Sequence, residues 1–381
     1  MGTPTPHYDL AIVGAGIVGL AHALAAIRIG KRVIIIDRDA QANGASIRNF
    51  GFVTVTGQQA GAVWRRARRS RDVWAQIAGP ASIAIEQTGL VMVARRPEAL
   101  AVIEAFFATE MGHDCALLNP TEVAERYPML RPARCAGALV SNADLRVESR
   151  TAIPALAAWL GQQGVVFQRS TAVHHVETGR VETSRGTICA DAIIVCPGDD
   201  LTTLFPTRFA EAGVTRCKLQ MLRLAAPGWR LPSAVMSDLG LVRYLGYAEL
   251  PQAGAIKAVL EREQPAHLAN GVHLIVVQSA DGSLIVGDSH HYAATPDPFA
   301  SAEVEALILD EFAAIFGAPP PVIDRWTGSY ASAARHSLVT TPARDVRLVT
   351  VTSGTGASTS FALAEEVIAE LYGITTEALV A

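Results

Sequence analysis

The chain opens with apolar blocks separated by glycines. YDLAIV (residues 8–13) reads as a buried strand, GAGIVG as a turn, LAHALAAIRIG as an alanine-rich helix closed by Gly30, and RVIIID as a second buried strand. Together they form a strand–helix–strand unit of about 30 residues. A helix is predicted from residue 60 to 78, with Val63, Trp64, Ala67, Trp74 and Ile77 on its apolar stripe. Arg65, Arg66, Arg68, Arg69 and Arg71 interleave with that stripe and read as a solvated face. TGLVMVARRPEALAVIEAFFATEMG predicts a strand and an amphipathic helix, NPTEVAERYPML a short capped helix ending before Pro128, and RTAIPALAAWLGQQG another helix. VVFQRSTAVHHVE and RVETSRGTICADAIIVCPG follow as strands.

The second half changes character. TRCKLQMLRLA, LVRYLGYAEL and GVHLIVVQSADGSLIVGDSHHY read as strands joined by turns, and Asp281-Gly282 marks a hairpin between two alternating runs. An antiparallel sheet is therefore expected beside the α/β portion. SAEVEALILDEFAAIFG predicts an amphipathic helix, and the chain closes with the strand VRLVTVT, the turn SGTGAST and the helix SFALAEEVIAELYG. There is no internal repeat and no low-complexity linker.

Bulk properties narrow the function classes. A length of 381 residues favours two domains or an interleaved pair. Half the residues are apolar, 18% are charged and the formal charge is −4, so nothing draws a nucleic acid or other polyanion. No secretory signal or membrane span is visible, which predicts a cytoplasmic protein. Cys115, Cys135, Cys189, Cys196 and Cys217 are scattered without a CxxC pair, as expected of reduced structural thiols, and no metal site is expected.

The chemistry begins at Gly14-Ala15-Gly16-Ile17-Val18-Gly19, a G-x-G-x-x-G pattern set between a strand and a helix. Gly14 permits the turn, Gly16 lets the backbone approach a pyrophosphate, and Gly19 lets helix and strand pack closely. The helix start beyond them offers N–H groups to phosphates. Asp37, at the end of the second strand, is placed to accept from a ribose 2′-hydroxyl and disfavours the 2′-phosphate of NADP. A second complete nicotinamide fingerprint is absent, so electrons are expected to leave to oxygen or to a membrane or protein acceptor.

The motif order YDLAIVGAGIVG, VIIID, GASIRNFG, GALVSNADLRVES, AIIVCPGDDL, CKLQMLRL, DGSLIVGDSH and LVTVTSGTGASTSFALAEEV resembles the FAD-dependent glycine oxidase, sarcosine oxidase and D-amino-acid oxidase family along essentially the whole chain. SIRNFG and GDSHHYAATPDPF look most like a bacterial subgroup associated with phosphonate catabolism. The resemblance implies an α/β fold, in which a Rossmann-like FAD-binding domain (1-80, 146-205 and 326-381) is interleaved with an α+β substrate-binding domain on a mostly antiparallel sheet (81-145 and 206-325). It implies FAD held by Gly14, Gly16, Ile17, Gly19, Asp37 and Arg38, with Ser46, Arg48 and Asn49 along the pyrophosphate and flavin. Val173 would contact adenine through its backbone, Gly198 would approach the nucleotide, and Gly354, Thr355, Gly356 and Ala357 would lie near the flavin ring, where the last helix can stabilise charge.

The chain departs from the family at three positions. Gly328 in RWTGSYAS stands where the sarcosine oxidases carry the cysteine that bonds to flavin, so FAD is expected to be non-covalent. Ile285 stands for a lysine held over the flavin for oxygen activation. Ser358 falls where a basic carboxylate ligand is expected, so the substrate's anion must be held elsewhere.

A planar arginine fork suits that anion. Arg48 is the first candidate, set against a pyrophosphate or structural contact. Arg243 and Tyr244 lie on the expected substrate sheet, set against a surface ion pair. His290 and His291 should face opposite ways, with one reaching the pocket and a turn histidine as the alternative. Tyr330, Arg335 and His336 follow the missing cysteine and could line the flavin face. His174, His175 and Met221 read as structural. The expected reaction is oxidation of a small amine bearing an acidic group, with O2 reduced to H2O2 and N-methyl-2-aminoethylphosphonate the preferred substrate. Glycine-, sarcosine-, iminodiacetate- or D-amino-acid-type substrates, a dehydrogenase using a quinone or carrier, and a non-catalytic flavin-binding protein are the alternatives. A homo-oligomer stays open.

Overall fold

In the computed structural model, which describes residues 7–131 and 135–379, the strand His7–Val13 lies at the centre of a parallel layer. Val33–Ile36 and Gly186–Val195 flank it, with Val166–Gln168 outside the first and Val346–Ser353 outside the second. The apolar blocks form this layer because both of its faces are covered, one by helices and the other mainly by the strands Val173–Glu177 and Arg180–Thr183 with Phe209; all four residues of Val33–Ile36 are buried. The predicted strand–turn–helix–strand opening and closing strand–turn–helix are thus neighbours in one layer. The stretch preceding His7 lies outside the described residues.

The helices Ile17–Arg28, Ala62–Ala78 and Gly356–Tyr372 pack together on one face. Trp74 meets Phe361 edge-on at 5.1 Å between ring centroids, and its indole N–H donates to Ala357 O at 2.8 Å. The basic face of Ala62–Ala78 is more than solvated surface. Arg66 forks onto Glu366, and Arg69 shares the buried Glu365 with Arg28. That correction follows from the last helix presenting two acids across the interface.

The antiparallel half grows from the same sheet. Val322–Ala343, a stretch without clear apolar periodicity and given no element by the sequence pattern, forms a 22-residue strand. It pairs antiparallel with Val346–Ser353 at one end and with Thr215–Leu224 at the other. Next come Leu284–Gly287 and Ile275–Gln278, the hairpin predicted at Asp281-Gly282. Ser279 and Ser283 close its turn, and Gly282 takes a φ of +87°. Ala234–Ser237, Ile85–Ala94 and Gly137–Val147 complete the succession.

LVRYLGYAEL is not a strand. Asp238–Val242 is a 3-10 turn and Leu245–Ala248 a short helix. The chain turns at Gly240, just before this stretch, and its carbonyl accepts from Arg243 N and Tyr244 N. Gly246 then docks on the Gly57 carbonyl at 2.9 Å, an approach that a side chain at Gly246 would block.

Trp74→Ala should remove both the ring contact and the indole hydrogen bond, costing about 3–5 kcal/mol of unfolding free energy in a urea titration. A loss under about 1 kcal/mol would show that the helix cluster does not depend on it.

Candidate active site

Steric exclusion builds the nucleotide end. A Cβ at Gly14 would overlap the Cys196 carbonyl and one at Gly19 the Gly14 carbonyl, while at Gly16 it would meet Ser46 Oγ at 2.9 Å. Gly14 also has a φ of +103°. The Asp37 carboxylate accepts from Ala15 N at 2.6 Å and Asp39 N at 2.8 Å, so it ties the turn to the end of the second strand. Ser46 Oγ accepts from Ile17 N at 2.9 Å, which leaves its hydroxyl proton to face an anion at the helix start. Arg38 is exposed and pairs with Asp39 and Asp200. Val173 is buried in the strand Val173–Glu177 and does not line the central cavity.

That cavity, about 400 Å³, receives the starts of two helices, at Ile17 and at Gly356. Ser46, Arg48, Asn49, Gly198 and the turn from Gly354 to Ala357 line it, together with Arg243, Tyr244, His290, Tyr330 and His336. Two helix N-termini aimed at one cavity favour negative charge there. These residues fit a dinucleotide, whose pyrophosphate would meet the first helix and whose ring would lie near the last.

Several lining side chains are already engaged. Asn49 Nδ2 donates to Ala45 O, and its Oδ1 accepts from Gly51 N and Ser149 Oγ, so the amide braces its own turn. Arg48 donates to Asn43 Oδ1 at 3.1 Å, and its carbonyl accepts from Trp326 Nε1. His336 Nε2 donates to Gln59 Oε1 at 2.8 Å. Ser358 Oγ accepts from Thr54 N, holding the chain at 54 against the last helix. Gly328 lines the cavity, and a Cβ there would stand 3.1 Å from Arg48 O. Ile285 does not line it. That side chain packs in the apolar cluster with Phe50 and Met221, while Ile275 of the neighbouring strand reaches the cavity wall.

Arg243 is the arginine held among aromatic side chains. Its Nη2 donates to Tyr292 Oη at 3.3 Å, and Tyr244, Tyr292 and Tyr330 share its cavity. The turn carrying it is anchored by buried Asp238, which accepts from Arg96 at 2.8 Å and from Arg95. Burial raises the Tyr244 and Tyr330 phenols well above their usual range, so both stay neutral donors.

The largest feature missed in the sequence is a buried cluster of His273, Asp288 and His290, all on the cavity wall. No metal site was expected from the scattered cysteines, but Asp288 places a carboxylate two residues before His290 and beside His273. His290 faces the cavity with Nδ1 donating to Gly271 O at 3.0 Å, while His291 bonds Asn270 outside it. Burial pushes Asp288 up to about 7 against the opposing pull of Arg243, and drives both His273 and His290 well below their ordinary range. Counting outward along both strands from Asp281-Gly282 would have found it, because His273 N pairs with Asp288 O and Asp288 N with His273 O.

Comparison with known proteins decides the family. A family model described as FAD dependent oxidoreductase matches residues 9–371. The chain belongs to that family. Glycine oxidase from Geobacillus kaustophilus (strain HTA426) is 24% identical over 208 residues, 51% of this chain and 55% of the relative, so the match spans about half of that relative. The crystal structure of glycine oxidase from Geobacillus kaustophilus superposes with a TM-score of 0.77 at 20% identity, covering 97% of this chain and 96% of that one. Iminodiacetate oxidase from Chelativorans sp. BNC1 gives 0.71 at 18% identity and 96% coverage of both chains. L-proline dehydrogenase from P. horikoshii gives 0.76 at 18%, covering 97% and 95%. These likenesses establish the mixed α/β fold, and this FAD-dependent oxidoreductase carries its fingerprint where the family's cofactor requires one. Among the described residues no helix is long and apolar enough to cross a membrane.

Gly14→Ala should lower flavin absorbance per protein to about a tenth or less of the parent value, since the turn must open to admit the methyl group. Full flavin content in that variant would show that the turn tolerates the movement.

Proposed function

We propose that this FAD-dependent oxidoreductase oxidises a small secondary or primary amine bearing an acidic group, with N-methyl-2-aminoethylphosphonate the preferred substrate. The observation that carries the reading is Arg243, presented with Tyr244, Tyr292 and Tyr330 on the cavity that also receives both helix starts. Held at the helix starts by Ser46, Ile17 N and the turn at 354–357, FAD would supply the acceptor for the hydride of the amine's α-carbon. The protein binds the substrate's anion at Arg243, orients it with neutral phenols and excludes water. Hydrolysis of the imine gives an amine and an aldehyde, with O2 taken to H2O2 overall. The names of two fold relatives, glycine oxidase and iminodiacetate oxidase, support a small amine with an acidic group. Two apolar clusters that fall almost wholly in 1-80, 146-205 and 326-381, and one that falls wholly in 81-145 and 206-325, support the interleaved division into FAD-binding and substrate-binding parts given above, with a fourth cluster at the seam between them.

A second reading, an amine dehydrogenase using a quinone or carrier protein, is favoured by one observation: among the described residues, no lysine lines the cavity. An anaerobic panel of phosphonate and carboxylate amines, followed by re-aeration, separates the two. Bleaching with peroxide on re-aeration supports the oxidase, and bleaching without peroxide the dehydrogenase. No bleaching by any amine would sink both.

Arg243→Met should raise KM for the amine about 10- to 100-fold with FAD content unchanged, the size of one lost charge-assisted contact. An unchanged KM would move the anion contact elsewhere. Because Gly328 offers no thiol, acid precipitation should release all the yellow colour, and colour kept in the pellet would refute non-covalent binding.

A further inference from the structure

His273, Asp288 and His290 bring their ligand atoms within 4.8 Å of one another, at the open end of the Asp281-Gly282 hairpin. The histidine tautomer can be assigned. His290 Nδ1 bonds the Gly271 carbonyl and must carry the proton, so Nε2 presents a lone pair. That lone pair faces Asp288 Oδ2 at 3.8 Å, and His273 Nδ1 stands 3.2 Å from Asp288 Oδ1. His273 Nδ1 and Asp288 Oδ1 are buried and neither makes a hydrogen bond. Buried polar atoms without partners are costly, and a cation between them removes the cost.

We propose that His273, Asp288 and His290 bind a divalent metal ion of the zinc class, with its open position turned to the cavity. Two imidazoles and one carboxylate are a zinc donor set, and three protein ligands with a free fourth position are the pattern of a working site, not a structural one. Ligand atoms around tetrahedral zinc stand roughly 3.3–3.6 Å apart; here His273 Nδ1 and Asp288 Oδ1 are 3.2 Å apart, and one ligand atom from each of the three residues lies within 4.8 Å of the others. The Gly271 carbonyl supplies the outer hydrogen bond that orients a ligating histidine.

Charge then indicates what the open position takes, in a step that rests on the reading of the substrate given above. Asp288 contributes −1, Arg243 +1 and the ion +2, a sum of +2 on one wall. A phosphonate dianion neutralises that sum, whereas a carboxylate leaves half of it. The metal and Arg243 together form the anion clamp that Ser358 cannot supply.

The test uses the FAD-loaded enzyme, dialysed against zinc chloride, gel-filtered and analysed for metal. About one zinc per chain is expected, falling below about a tenth in His273→Ala and His290→Ala, with flavin content reporting that both variants are folded. Cobalt in place of zinc should add ligand-field absorption at wavelengths beyond the flavin bands. Removing zinc with dipicolinate should raise KM for the phosphonate amine about tenfold or more, and for the carboxylate amines less. Less than about a tenth of a zinc per chain in the yellow parent protein overturns the site. Zinc retained with KM indifferent to its removal overturns the clamp. One zinc per chain with no amine able to bleach the flavin upholds the site while sinking the amine reading.

Discussion

The close approach of Gly19 to the Gly14 carbonyl governs much of this molecule. No side chain can enter that contact, so the first helix lies against the first strand and its start projects over the edge of the parallel layer. Asp37 locks the same turn through Ala15 N, and Ser46 meets the helix start at Ile17 N. The last helix packs on the first and delivers a second helix start to the same cavity. The cofactor end is thus determined by backbone geometry, with few charged side chains, as suits a site for a polyanionic nucleotide.

The opposite wall has another construction. One long strand, Val322–Ala343, passes from the parallel layer to the antiparallel sheet and carries Gly328, Tyr330 and His336 past the cavity. Arg243 comes from a tight turn secured by the buried Asp238 pairs, and His273 and Asp288 from opposing hairpin strands. Elements distant in sequence therefore supply one surface, and their side chains can change without altering the nucleotide end. Within one family, this separation lets a common cofactor frame host different substrate chemistries.

Much of this was legible in the sequence where chemistry is local. The fingerprint, the Asp281-Gly282 hairpin and the closing strand–turn–helix each announce themselves within a few residues. Arg243, Tyr244, His290, Tyr330 and His336 come to one cavity even though the segment holding Arg243 is a turn and not the expected strand. There the apolar and aromatic residues of LVRYLGYAEL imitated a strand, and the decisive fact, docking of Gly246 on Gly57, is a long-range contact. Ile285 and Ile275 show the limit of motif transfer, since their strands are adjacent and only one side chain reaches the wall. His273 and Asp288 were missed because hairpin register, and not spacing along the chain, brings them together.

The pairing of Arg28 with Glu365 joins the first helix to the last across 337 positions of sequence. During synthesis the strand–turn–helix that opens the chain emerges long before the partners that complete its layer. The apolar faces of the first helix and of Ala62–Ala78 thus find their cover in a helix made much later in the chain. The last long helix is therefore both the lid of the apolar core and a wall of the cofactor site, and neither can be complete without it.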